Sequence, residues 1–312
     1  MSTIATSYPI TALPFTAVRI DDAFWSPRIE TNRRVTVPYD FQKCEETGRI
    51  ANFAKAAGQQ PGAHGGIFFN DSDVFKVIEG AAYALMLHPD PNLDAYLDKL
   101  IALIAAAQEP DGYLYTARTI AERNGTPDAL RADREGLMRW SNLRINHEFY
   151  NVGHLYEGAV AHYQATGKRG LLDVALKNAD LIDSLFGPGQ RRDVPGHQEI
   201  ELGLVKLYLV TGEARYLDLA KFFLDERGQT DGHELYGAYA QDHLPVVAQE
   251  EAVGHAVRAV YMYAGMADVA ALTGAQPYID AIDAIWQDVV ARKLYLTGGI
   301  GARHEGEAFG DA

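Results

Sequence analysis

Three times in this 312-residue chain a Gly-His pair opens an apolar helical stretch that runs into Thr-Gly, after which a second helical stretch begins. The copies run from Gly153-His154 to Thr166-Gly167, from Gly196-His197 to Thr211-Gly212 and from Gly254-His255 to Thr273-Gly274. Self-similarity of this kind marks a repeated helical hairpin, because one hairpin cannot bury its apolar face alone and must stack on the next. A repeat that sets a histidine at one helix end, copy after copy, also collects those histidines on one face. His154, His197 and His255 are therefore candidate site residues.

The second helix of each hairpin is amphipathic, marked by Leu172, Ala175, Leu176, Ala179 and Ile182, by Tyr216, Leu217, Ala220 and Phe223, and by Ile279, Ile282 and Trp286. An earlier hairpin lacks the Gly-His start. Asn70-Asp71-Ser72 reads as its N-cap, Val74, Val77, Ile78, Ala81, Ala82 and Leu85 follow at helical spacing, and His88-Pro89-Asp90-Pro91 breaks the chain before a partner helix from Leu93 to Ile104. A helix is expected over about 29–47, kinked or broken by Pro38. Residues 1–28 read as an extended N-terminal arm, and 110–147 as a long polar loop.

No segment sustains period-two alternation, so the class is all-α, with about nine helices and no convincing strand. Paired helices close into an α/α toroid or stack as an open solenoid. A six-hairpin toroid needs about twelve helices, and the sequence ends at Gly310-Asp311-Ala312 without a closing helix. The residues alone leave an open solenoid and an incomplete toroid both standing.

A net charge of -14 argues against a nucleic-acid or anionic-membrane partner, since both call for clustered Lys and Arg. Cys44 is the single cysteine, which excludes an internal disulfide and a multi-cysteine metal site within these residues. Residues 1–16 carry no basic residue and no cleavage pattern, and no apolar run reaches the roughly 18 residues needed to span a bilayer. A cytoplasmic location is the expectation.

Neutral imidazoles at helix N-termini suit sugar hydroxyls better than a cation, because each ring offers one donor and one acceptor while the helix end carries partial positive charge. Among the carboxylates, Asp71 and Asp73 are placed to cap a helix, and Glu201 stands four residues after His197 on the same face. Glu307 is the strongest chemical candidate. It follows four glycines of the segment Thr297–Glu307 and precedes Ala308-Phe309, where apolar surroundings would raise a carboxyl toward the range a general acid needs.

Seven motifs in order resemble one family. They are Asp71-Ser72-Asp73-Val74-Phe75-Lys76; Gln108 with Asp111-Gly112-Tyr113-Leu114; His147-Glu148 leading to Gly153-His154-Leu155; Gly196-His197-Gln198-Glu199-Ile200-Glu201; Asp242-His243-Leu244-Pro245-Val246; Gly254-His255-Ala256-Val257-Arg258; and Thr297-Gly298-Gly299 through Gly306-Glu307-Ala308-Phe309. Together they resemble glycoside hydrolase family 127, the β-L-arabinofuranosidases, from about Phe24 to the last residue. The resemblance implies that 29–312 is the N-terminal part of a catalytic (α/α)6 barrel, cut before its last helices, with the C-terminal β-sandwich domains absent. It also implies a retaining hydrolysis of terminal β-L-arabinofuranosyl residues of an oligosaccharide or glycoconjugate.

By motif, Glu307 matches the family's general acid/base, and His154, His197 and His255 match histidines that contact the arabinofuranose. The family's nucleophile is a zinc-bound cysteine thiolate, whose ligands lie in motifs beyond Ala312. Cys44 fits none of those positions, so no zinc is expected to bind this chain tightly and the isolated chain is expected to be inactive. Asn151-Val152 before Gly153-His154, and Val77 where an aromatic is usual, are local departures. Two other readings compete: an inverting toroid hydrolase pairing Glu307 with Asp73 or Glu201, and a non-catalytic helical-repeat scaffold. A homo-oligomer is compatible with all three.

Overall fold

The computed structural model describes residues 13–310. The chain forms two compact units. One comprises the described residues up to Asn142 together with His154–Leu181; the other is built on Leu143–Gly153 and the chain from Ile182 onward. Among the described residues, strand pairing is limited to three isolated bridges, so the all-α expectation holds. No described helix is long and apolar enough to cross a membrane.

In the first unit the helix expected over 29–47 is three pieces: α1 (Trp25–Thr31), a π-helical segment (Asn32–Thr36) and α2 (Val37–Glu46). Pro38 sits just after the widened turn, so the expected kink or break is a π-helical segment within a continuous helical run. The arm 1–28 is only partly visible, since 1–12 lie outside the described residues. Its remainder is not extended throughout: Phe15–Ala17 is a 3-10 turn, and α1 has begun by Trp25. The chain continues through α3 (Arg49–Ala56), α4 (Asp71–Leu87), α5 (Pro91–Ala107) and α6 (Thr116–Arg123). Helix α7 (Glu148–Thr166), whose residues up to Gly153 belong to the other unit, and α8 (Gly170–Asp183) follow.

Helix α6 occupies part of the expected loop at 110–147. Its buried face is Thr116, Ala117, Arg118, Thr119, Ile120 and Ala121, so half of what it hides is polar and no apolar stripe announces it. The polar groups are satisfied in place. Thr116 donates its N–H and Oγ1–H to the Asp71 carboxylate at 2.8 and 2.5 Å, and fully buried Arg118 donates to the carbonyls of Glu135 and Gly136 at 3.0 and 2.8 Å. Asp71 therefore ties α4 to α6 instead of merely capping α4. Asn70 holds the N-cap position without a side-chain cap bond and instead donates to Gly65 O.

Burial pushes the Asp71 carboxyl up to about 6, against the opposing hydrogen bonds from Thr116. The folded state then holds a proton that the unfolded state releases above its ordinary value of 3.8, so stability falls as pH rises from about 4 to 6. Asp71→Asn should remove this dependence. We expect urea unfolding to show the Asp71→Asn variant gaining roughly 2–3 kcal/mol relative to the parent between pH 4 and pH 7. A pH-independent difference between the two would sink this account.

In the second unit lie α9 (Ile200–Thr211), α10 (Ala214–Glu226), α11 (Ala256–Thr273) and α12 (Gln276–Asp288). Helix α9 packs on both α10 and α11, as stacked hairpins require. Phe149, Phe186 and Phe223 meet with ring centroids 5.0–5.9 Å apart in its core. All three Thr-Gly pairs end helices in the same way. The threonine hydroxyl donates to the carbonyl four residues back, at 2.8 Å for Thr166, 2.7 Å for Thr211 and 2.7 Å for Thr273. The same oxygen accepts the N–H two residues on, from Lys168, Glu213 and Ala275. The glycine follows in the left-handed conformation, which only it adopts without strain.

Candidate functional site

The Gly-His ends are built differently from one another. His255 is the N-cap of α11, with its Nδ1 accepting the Arg258 N–H at 3.4 Å. His197 precedes α9 by three residues, whereas His154 lies inside α7, two turns past its start. The histidine standing immediately before α7 is His147. In the first copy the helix-start position thus belongs to His147, which the Gly-His pattern passes over.

The second unit gathers a ring cluster from these ends. His147, Tyr150, His197, Tyr261 and His255 are neighbours, with centroid distances of 5.3 Å for His147–His197, 4.3 Å for Tyr150–His197, 5.9 Å for His197–Tyr261 and 5.8 Å for His197–His255. Two of the three expected histidines, His197 and His255, come together here. His154 belongs to the other unit, where it is buried with Nδ1 3.6 Å from Glu157.

The glycine of each pair is there for close approach. A Cβ on Gly196 would lie 2.2 Å from Arg144 O, and one on Gly254 would lie 2.1 Å from Ala238 O. Gly254 also has φ +71°. Backbone crossings this tight fix where the following histidine starts. Buried Arg258 reinforces them, donating to Gly196 O at 2.6 Å with its guanidinium 4.9 Å from the Tyr239 ring.

Burial holds His197 well below the usual imidazole range, with Arg258 and His147 adding to the effect. His255 is lowered by burial first and Arg258 second, while Glu307 opposes both. Both rings are therefore neutral near pH 7 and their tautomers are set by their partners. His197 Nδ1 lies 2.8 Å from the Gln198 carbonyl and must donate to it, which leaves Nε2 as an acceptor. His255 Nδ1 accepts, so its Nε2–H donates to Glu307 Oε2 at 3.1 Å. An acceptor nitrogen and a donor–carboxylate pair side by side can hold hydroxyl groups and move a proton.

Glu307 reaches this position on a short 3-10 turn, Glu305–Glu307, with φ +49° at Glu307. The turn is anchored two residues later. Phe309 is buried against Ala252, Ala256, Ala259 and Ile285, and its N–H donates to Gly254 O at 2.9 Å. A non-glycine residue in the left-handed region is uncommon and clusters at functional sites. The apolar enclosure expected for Glu307 is absent, since its side chain is 76% exposed. Neighbouring Phe309 packs inward while the carboxylate turns outward toward His255.

The other carboxylates are engaged elsewhere. Glu201 does not pair with His197: its Oε2 accepts the Glu199 N–H at 3.0 Å, and its Oε1 is 3.8 Å from Arg227. Asp73 is paired with Arg49 in the other unit. As for metals, Asp94, Asp98 and His162 lie within ligand distance of one another in the first unit. The Lys168 ammonium already bridges the two carboxylates there, at 2.7 and 2.8 Å. Cys44 packs in the core of that unit, with its thiol pushed up to about 11 by burial.

The sequence matches the model of the GH127 catalytic domain of β-L-arabinofuranosidases over residues 17–312. A non-reducing end β-L-arabinofuranosidase of Bifidobacterium longum subsp. longum is 42% identical over 280 residues, covering 83% of this chain and 41% of the relative. Among solved structures, a GH127 β-arabinofuranosidase superposes with a TM-score of 0.90 at 54% identity, over 97% of this chain and 47% of that one. A GH127 β-L-arabinofuranosidase from Geobacillus stearothermophilus T6 gives 0.85 at 41%, over 94% and 48%. The chain thus spans somewhat less than half the length of these relatives. On the family match and these likenesses together, the chain belongs to the GH127 β-L-arabinofuranosidase catalytic-domain family.

Proposed function

We propose that this chain carries the sugar-recognition and proton-transfer side of a retaining β-L-arabinofuranosidase centre. It acts on terminal β-L-arabinofuranosyl residues of an oligosaccharide or glycoconjugate. The observation that carries the reading is the His255 Nε2–Glu307 Oε2 pair set beside His197. Glu307 gives its proton to the leaving oxygen and later takes one from water, and His255 orients it. His197 and His255 bind the furanose hydroxyls, with His154 as the third sugar histidine of the same reading.

Retention needs a nucleophile on the face of the sugar opposite the acid. The family resemblance assigns that role to a thiolate held deprotonated by zinc. The donor set of this chain does not fit such a centre: its single cysteine is Cys44, whose thiol is buried and pushed up to about 11. No step through zinc is derived from these residues.

Two results are expected from the purified chain. Calorimetry at pH 7 should detect binding of methyl β-L-arabinofuranoside, and His197→Ala should weaken it about tenfold, the loss of one or two hydrogen bonds at about 1 kcal/mol each. Hydrolysis of an aryl β-L-arabinofuranoside should stay at the background rate. Absence of binding by the parent chain would overturn the sugar reading. Turnover that disappears in Glu307→Gln would show that another nucleophile serves.

A further inference from the structure

We propose that Tyr239 is the platform for the leaving group, the surface on which the part of the substrate beyond the scissile bond stacks. The inference rests on the glycosidase reading above and names a residue and a subsite for it.

The geometry runs along a line of ring contacts. His255 is the ring shared by two of them: it meets His197 at 5.8 Å and Tyr239 at 5.7 Å, with the Tyr239 and His255 planes 75° apart. Exposure rises along this line. His197 and His255 are each 7% exposed, Tyr239 is 44% exposed, and the Glu307 side chain is 76% exposed. A terminal sugar must enter at the closed end and leave the rest of its glycan at the open one. That places the furanose on the His197 side and the leaving group on the Tyr239 side, with His255 and Glu307 at the bond between them.

The proton donor agrees with this polarity. Glu307 protonates the leaving oxygen, so the leaving group lies against whatever surface adjoins Glu307. That surface is Tyr239: a Cβ on Gly306, the residue before Glu307, would lie 3.1 Å from its Cε2. The ring is also held in place, backed by Arg258, while Tyr239 stays 44% exposed. Its own carbonyl accepts the His255 N–H at 3.0 Å, and the Arg258 guanidinium lies 4.9 Å from its centroid. A large, exposed, rigidly held aromatic face next to a proton donor is what sugar rings and aryl groups stack on.

The test compares methyl and 4-nitrophenyl β-L-arabinofuranoside binding to the purified 312-residue chain by calorimetry. The parent should bind the aryl glycoside about fivefold more tightly, within the range of a stacked aromatic pair. Tyr239→Phe should keep that ratio. Tyr239→Leu, which fills the space beside Gly306 without a π face, should bring it to within about twofold of unity. Saturation of the nitrophenyl protons in the parent should also transfer to a tyrosine ring, and that signal should vanish in Tyr239→Phe spectra recorded with labelled tyrosine. An unchanged ratio in Tyr239→Leu, or no preference in the parent while the methyl glycoside binds, overturns this inference and leaves the glycosidase reading intact. If the parent does not bind the methyl glycoside, the glycosidase reading falls and this inference falls with it.

Discussion

Replacing Arg227 by methionine is expected to cost about 3–5 kcal/mol of folding stability, the usual penalty for removing one partner of a buried charged network. Arg227 is fully buried and donates to Ala240 O at 2.9 Å and to Pro195 O at 2.6 Å. Its guanidinium is also the counter-charge 3.8 Å from Glu201, which is itself 1% exposed. The variant strands the Pro195 carbonyl and the Glu201 carboxylate, both buried away from water, while Ala240 O keeps its second bond from Gln198 Nε2 at 2.9 Å. Burial already raises the Glu201 carboxyl while Arg227 opposes the rise. Without the arginine Glu201 should remain protonated to higher pH, so the deficit should be larger at pH 8 than at pH 5. Urea unfolding at both values checks this. The double variant Arg227→Met, Glu201→Gln should recover a substantial part of the loss, and a double variant no more stable than the single one would remove Glu201 from the explanation.

Gly254→Ala should be nearly as damaging, by about 2–4 kcal/mol, and should weaken sugar binding as well. Two costs add. The left-handed backbone at φ +71° disfavours any side chain, and the new methyl would lie 2.1 Å from Ala238 O and 2.7 Å from Tyr239 O. Neither neighbour is a flexible tip that could swing away. Gly254 O is also the acceptor that anchors Phe309, and His255 N–H is bonded to Tyr239 O. A shift of about half an ångström here moves His255, Tyr239 and the Glu307 turn relative to one another. Calorimetry with methyl β-L-arabinofuranoside should show at least a roughly tenfold loss, on the scale expected for misplaced binding groups. Parent-like affinity in a folded Gly254→Ala chain would show that the crossing does not set the site.

The hairpins were legible because their signals are local. Apolar spacing gave the helices and Thr-Gly gave their ends, and both survive in the structure. What stayed hidden depends on long-range pairing. Helix α6 buries Thr116, Arg118 and Thr119, whose respective partners Asp71, Glu135 with Gly136, and Glu109 all lie outside the helix, so it reads as loop. Arg227 looks like an ordinary charged residue at a helix end, yet it is wholly enclosed.

For the candidate site, His197, His255 and Glu307 were visible in the sequence as types and positions. The direction of Glu307 was not visible: Phe309 packs inward here and the carboxylate stays exposed. His147 was also missed as a member of the ring cluster. The signal for it was present, a histidine immediately before a helix, but it stood seven residues ahead of the His154 that drew attention.

The two ends of each hairpin differ in how they are held, and this divides the chain into forgiving and unforgiving places. At a Thr-Gly end, every bond that closes the turn comes from residues within about one helical turn of it. A change there stays where it is made, and loop insertions or altered outer helices can be accepted one hairpin at a time. At a Gly-His end the backbone lies against another segment, and a single added methyl reaches into its neighbour. Homologous chains should therefore vary freely at the Thr-Gly ends and hardly at all at the Gly-His ends. An engineer wishing to lengthen or tag this protein internally should cut at residues 167, 212 or 274.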